Sequence, residues 1–148
     1  MKSKREYLTF RLNQEEFGID ILKVQELRGY ESPTRVADAP PFVKGVINLR
    51  GTIVPVVDLR IRFACPSVHY GGSTIVVVLN LSGRILGAVV DSVSDVVELA
   101  AESVQPAPAL DTSIEQDAVV GLGSIGPRMV ILLDIEKLML SPSMAVSA

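Results

Sequence analysis

Between Val43 and Phe63 the chain reads VKGVINLRGTIVPVVDLRIRF, and its apolar positions predict two strands joined at a tight tip, Leu49-Arg50-Gly51-Thr52. On the first strand Ile47 and Leu49 take one face, while Val46, Asn48 and Arg50 take the other. On the second, Ile53, Val54, Val56 and Val57 leave neither face polar. A strand apolar on both faces must be covered on both. The hairpin is therefore expected between two packed layers, with Arg50 carried out at its rim. Gly45 and Gly51 mark places where a side chain would obstruct a turn or a close approach.

The same alternation continues on either side. Tyr7–Leu12 sets Leu8, Phe10 and Leu12 inward and Thr9 and Arg11 outward, and with Phe17-Gly18-Ile19 it predicts a first hairpin. Asp20 suits the start of one helical turn over Ile21–Lys23, followed by an extended piece, Val24–Arg28. Residues 29–33 read as loop, and Ala39-Pro40-Pro41 as a connector. Asp58 caps a short turn over Leu59–Phe63. Thr74–Leu81 and Arg84–Val90 predict another hairpin around Ser82-Gly83, Val93–Leu99 a further strand, and Ala118–Leu122 with Arg128–Leu133 a last pair. Pro106-Ala107-Pro108 is a stiff connector. Asp134 caps a short helix over Ile135–Leu140.

The segment 64–73, with Pro66 and Gly71-Gly72, has the most linker-like composition. It suggests two halves, 6–63 and 74–140, with tails at 1–5 and 141–148 and with terminal strands free to cross over. An internal echo supports this. IVPVVDLRIRF (53–63) and MVILLDIEKLM (129–139) share an apolar run, an Asp and a short amphipathic turn. Two related halves of about five short strands predict two small barrels side by side.

At 148 residues, a chain folding as one unit buries about 68–70% of its unfolded surface. Aromatic residues make up 5% and Trp is absent, so Val, Ile and Leu must build the core, which favours strands. A net charge of -3 and few stacking aromatics argue against a nucleic-acid partner. The single cysteine, Cys65, excludes an intramolecular disulfide and suits a reducing compartment. The N-terminus lacks the apolar run of a signal peptide, and no stretch reaches the length of a membrane span.

Candidate chemistry is sparse. Gly121-Leu-Gly-Ser-Ile-Gly126 fits G-x-G-x-x-G, but Pro127 and a strand-like run follow instead of a helix. The expected reading is a glycine-rich hairpin loop. One His and one Cys, His69 and Cys65, are too few for a metal site, and a catalytic pair of them would sit on a loop without an orienting group. Asp58 and Asp134 read as helix caps, Asp91 and Asp95 as turn acceptors. Arg50 stands apart. An arginine rimmed by Val43, Val46 and Leu49 has the composition of an interface anchor.

Taken together, GVINLRGTIVPVVDLRIRF (45–63), FGIDILKVQELRGY (17–30), IVVVLNLSGRILGAVVDSVSDVVEL (75–99), VQPAP (104–108), and GLGSIG with RMVILLDIEKL closely resemble the CheW family of bacterial chemotaxis coupling proteins, over about residues 6–140. The resemblance implies an all-β fold of two five-stranded SH3-like barrels, no catalytic activity and no cofactor. It implies a cytoplasmic adaptor that binds the hairpin tip of a methyl-accepting chemoreceptor and the regulatory domain of the histidine kinase CheA, reaching the membrane only through receptors. The positions matching a receptor groove between the barrels are Val24, Glu26, Val43, Gly45, Asn48, Leu49 and Arg50, with Val96 on the far wall. The kinase contact is expected at Ile75 and Val89, with a second at Gln105–Leu110. Alternatives of other kinds are a coupling module of another receptor–kinase cluster, a small enzyme using Cys65 and His69, and an oligonucleotide-binding barrel.

Overall fold

The computed structural model describes residues 4–106 and 118–139. Within them the chain forms eleven strands: β1 Lys4–Leu12, β2 Glu15–Asp20, β3 Val24–Gly29, β4 Val43–Leu49, β5 Thr52–Asp58, β6 Ile75–Leu81, β7 Arg84–Val90, β8 Ser92–Ala100, β9 Val104–Gln105, β10 Val119–Ile125 and β11 Arg128–Leu133. Two short helices, α1 Leu59–Arg62 and α2 Ile135–Met139, follow β5 and β11. Lys4 and Arg5, expected in a tail, instead pair with Ala100 and Leu99 of β8. Leu110 and the Ala107-Pro108 part of the connector lie outside the described residues.

The strands form two sheets, ordered β8-β1-β2-β11-β10-β9 and β3-β6-β7-β5-β4. The fold is all-β, built from two SH3-like barrels. The second barrel takes a contiguous piece of chain. The first takes the N-terminal hairpin together with the C-terminal strands, joined by a parallel pairing of β2 with β11. The 64–73 segment therefore lies within the second barrel, between β5 and β6, rather than between the barrels in sequence.

Alternation along the strands sorts side chains into three cores. In β6, Val76 and Val78 enter the core of the second barrel, while Val77, Leu79 and Leu81 enter a core shared by both barrels. In β11, Val130 and Leu132 face the first barrel's own core and Leu133 the shared one. This is why so many strands lack a polar face: each is roofed on one side by its own barrel and on the other by the neighbour. Phe10, Phe17 and Phe63 lie in the shared core as a run of rings with centroids 5.9 Å apart at each step, so three of the four Phe rings sit where the two barrels meet.

The glycine motif is not a loop. Gly121 and Gly123 lie inside β10, and only Gly126, at φ +56°, sits in the turn. A Cβ on Gly123 would lie 2.6 Å from Leu99 Cδ1, and one on Gly121 2.6 Å from the Gln105 carbonyl oxygen. Missing side chains here let β8 and β9 close over β10.

Candidate functional site

The site begins with the β4–β5 hairpin. Ile47 and Leu49 face the second barrel's core with Val54, while Asn48 and Ile53, paired across the two strands, face outward. Arg50 occupies the turn with φ +50°, and Asn48 Oδ1 accepts the Gly51 N–H at 2.8 Å. That Asx-type bond closes the tip and leaves the Arg50 side chain two-thirds exposed, at 67%.

The hairpin does not stand alone. Arg50 Nη2 donates to Glu26 Oε1 at 2.7 Å, across 24 residues. Just beyond β3, Thr34 and Val46 exchange backbone hydrogen bonds of 2.9 and 2.8 Å. The open edges of the sheet, β3 and β4, are therefore stitched together, and this seam closes the barrel. Gly45 makes the stitch possible: its φ is +140°, and a Cβ there would lie 2.0 Å from the Thr34 carbonyl oxygen. On the strands that carry the seam, Leu27 of β3 and Ile53 of β5 are exposed at 44% and 60%, and Leu22, in the 3-10 turn before β3, at 86%.

Val24 and Leu27 lie opposite Leu79 and Val77, on the side of the sheet that meets the other barrel. Val43 and Gly45 line a groove of about 630 Å³ with Val36, Pro40, Ile53 and Leu86. That groove belongs to the second barrel alone. Val96 stands half-exposed on β8 of the first barrel, opposite Leu8. Leu49 is buried in the core at 4% exposure, so it holds the tip from beneath. Ile75 pairs with Val90 and Val89 with Val76, so Ile75 and Val89 take opposite faces of the sheet; Val89 is wholly buried and only Ile75 reaches the surface. Gln105 is exposed on β9.

Two features escape sequence reading. The Glu26–Arg50 pair is one. The other is Arg60, fully buried in α1: Nη2 and Nε bond Asp58 at 2.9 and 3.0 Å, and Nη1 bonds Asp91 at 2.7 Å and the His69 carbonyl at 2.6 Å. Burial pulls the guanidinium pKa down, but the hydrogen bonds and charges of Asp58 and Asp91 outweigh it and raise the pKa. Tyr70 donates to Asp58 at 2.6 Å, and burial followed by that bond raises its pKa. The signal in sequence was an Asp two residues before an Arg, which an exposed capped turn would show equally.

No group of three or more metal-binding side chains occurs among the described residues. Burial pushes the Cys65 thiol up, the opposite of what a nucleophile needs. His69 Nε2 meets Ser67 Oγ at 2.7 Å on the exposed loop.

Comparison with known proteins decides the family. The model of the CheW-like domain matches residues 6–142. This chain belongs to the CheW family. It is 54% identical over 142 residues to the chemotaxis protein CheW of Klebsiella aerogenes, covering 96% of this chain and 86% of that one. It is 33% identical to the Rhizobium meliloti CheW, covering 89% and 85%. The crystal structure of the scaffolding protein TtCheW from Thermoanaerobacter tengcongensis superposes with a TM-score of 0.84 at 29% identity, over 95% of this chain and 90% of that one. The two-barrel CheW architecture and a scaffold role in chemotaxis follow, as the sequence resemblance implied.

Proposed function

We propose that this chain couples chemoreceptors to the kinase CheA by holding both at once, without catalysis of its own. The observation that carries this is the seam: the Glu26–Arg50 ion pair, with Arg50 67% and Glu26 27% exposed, on a barrel whose β3 and β5 also carry the exposed apolar side chains Leu27 and Ile53. An amphipathic helix from a receptor's cytoplasmic tip docks on such a surface through apolar anchors at i, i+3 and i+4, with charge fixing its register. Val24, Glu26, Val43, Asn48 and Arg50 meet that helix, with Val96 as its reach onto the first barrel. Gly45 and Leu49 shape the surface from below. The kinase's regulatory domain takes the surface at Ile75, with Val89 buried in the barrel core on the other face of the sheet, and Gln105–Leu110 makes a further contact. No described helix is long and apolar enough to cross a membrane, and the chain reaches the membrane through its receptors.

The test is a binding titration with a purified receptor cytoplasmic fragment and, separately, the CheA regulatory domain. Micromolar binding of each corresponds to about -8 kcal/mol, and a ternary complex is expected. Failure of the two to bind together would overturn the coupling role. Replacing Cys65 and His69 with Ala is expected to leave both contacts intact; lost coupling in the folded double variant would restore the enzymatic alternative.

A further inference from the structure

The shared core between the barrels is built almost wholly from aliphatic side chains and three Phe rings. Burial of such surface is strong but non-directional, so it holds two barrels together better than it fixes the angle between them. Direction comes from hydrogen bonds. At the surface of this interface Glu136 of α2 meets Ser82 of the β6–β7 turn and Lys23, and the buried cluster centres on one residue. Asp91 lies where the chain leaves β7 of the second barrel and enters β8 of the first. Its Oδ1 accepts from Arg60 Nη1 of the second barrel at 2.7 Å. Its Oδ2 accepts from the Asn13 backbone N–H, in the β1–β2 turn of the first barrel, at 2.5 Å. Its own N–H donates to the Arg11 carbonyl at 3.0 Å. One carboxylate thus bonds both barrels, and a buried guanidinium holds it from behind.

The 64–73 segment covers this junction. Asn13 Nδ2 donates to the Ser67 carbonyl at 2.8 Å, the His69 carbonyl takes a bond from Arg60, and Tyr70 reaches Asp58. The Arg60 guanidinium lies 4.8 Å from the centre of the Tyr70 ring, which stacks on Tyr30 at 4.6 Å. Tyr30 follows β3, so the junction is in contact with the chain that leads from the seam.

We propose that Asp91, clamped between Arg60 and the β1–β2 turn, is the pin that sets the angle between the two barrels, and that the 64–73 segment is its cover. A buried ion pair is a poor source of net stability compared with apolar side chains of the same volume. What it supplies here is a single orientation. The inference rests on the fold and holds whether or not the coupling reading does.

Residual dipolar couplings on the intact protein test it. In the unaltered chain, couplings from both barrels fit one common alignment. In Asp91→Asn, which exchanges one acceptor oxygen for a donor, and in Arg60→Lys, which keeps the charge but not the fork, each barrel is expected to fit its own structure while the common fit is lost. A folded variant whose two barrels still fit the original joint orientation overturns the proposal. Should both variants fail to fold, amide exchange on the unaltered protein decides: Asn13 and Asp91 must be protected like the core strands, and exchange at loop rates overturns it.

Discussion

At the scale of single residues, Arg50 and Gly45 do different work. Arg50 forms a surface pair with Glu26, 67% and 27% exposed, and surface pairs contribute about 0–1 kcal/mol to stability. Arg50→Glu is therefore expected to leave the melting temperature nearly unchanged while weakening binding of a receptor fragment by about 2 kcal/mol, roughly 30-fold, in a calorimetric titration. Exchanging the charges, Glu26→Arg with Arg50→Glu, restores the pair but not the binding. Equal loss of receptor and kinase binding would count against a receptor surface here. Gly45 is a matter of space: even Ala would drive a Cβ into the Thr34 carbonyl. Gly45→Ala is expected to cost about 2–3 kcal/mol in a denaturant melt, and Gly45→Asp more. A melt matching that of the unaltered chain would refute the stitch between β3 and β4. Sequence put Arg50 at an exposed tip correctly, because a polar residue between two apolar strands has nowhere else to go. It could not assign Glu26 as partner, since nothing local ties residues 24 positions apart. For Arg60 the sequence gives only a short turn capped by Asp58, because a buried arginine and an exposed one look alike until their carboxylates are located.

At the scale of elements, alternation located nearly every strand, but it did not say which sheet each would join. Both parallel pairings, β2 with β11 and β5 with β7, connect distant segments, and no turn residue announces them. Gly121 and Gly123 were expected in a loop. They lie in a strand because the constraint on them comes from β8 and β9, which close over β10. The two glycines are expected to respond differently. Gly123→Ala meets the end of a flexible side chain, so adding Leu99→Ala should recover part of the stability lost, a non-additive pair. Gly121→Ala meets backbone at Gln105 and should not be recoverable by trimming Val104. Urea melts of the single and double variants measure this; additive losses for Gly123 and Leu99 would refute the packing.

For the molecule as a whole, charges on the first barrel set its behaviour in acid. Arg128 bridges Glu16 of β2 and Asp95 of β8. Its hydrogen bonds hold both carboxyls below their ordinary values of 4.5 and 3.8. A carboxylate with a lowered folded pKa stabilises above its unfolded value and loses that contribution as pH falls through the folded one. The cluster's contribution is thus complete above about pH 5 and fades below about pH 4. With Arg128 and Asp95 partly in solvent, at 36% and 47% side-chain exposure, it amounts to about 1 kcal/mol or less. Arg128→Met is expected to be less stable than the unaltered chain at neutral pH and to approach it below pH 4. A stability gap that persists unchanged into acid would refute this.

The interleaving of strands bears on how the chain is made. Residues 24–90 hold every strand of the second barrel, so that barrel can assemble as soon as they leave the ribosome. The opening hairpin emerges first yet must wait for β11, more than a hundred residues later, before its inner edge finds a mate. During that interval it is an unfinished edge, the kind of surface that invites pairing with the wrong strand. Nascent chains arrested before Arg128 are where premature association would be sought.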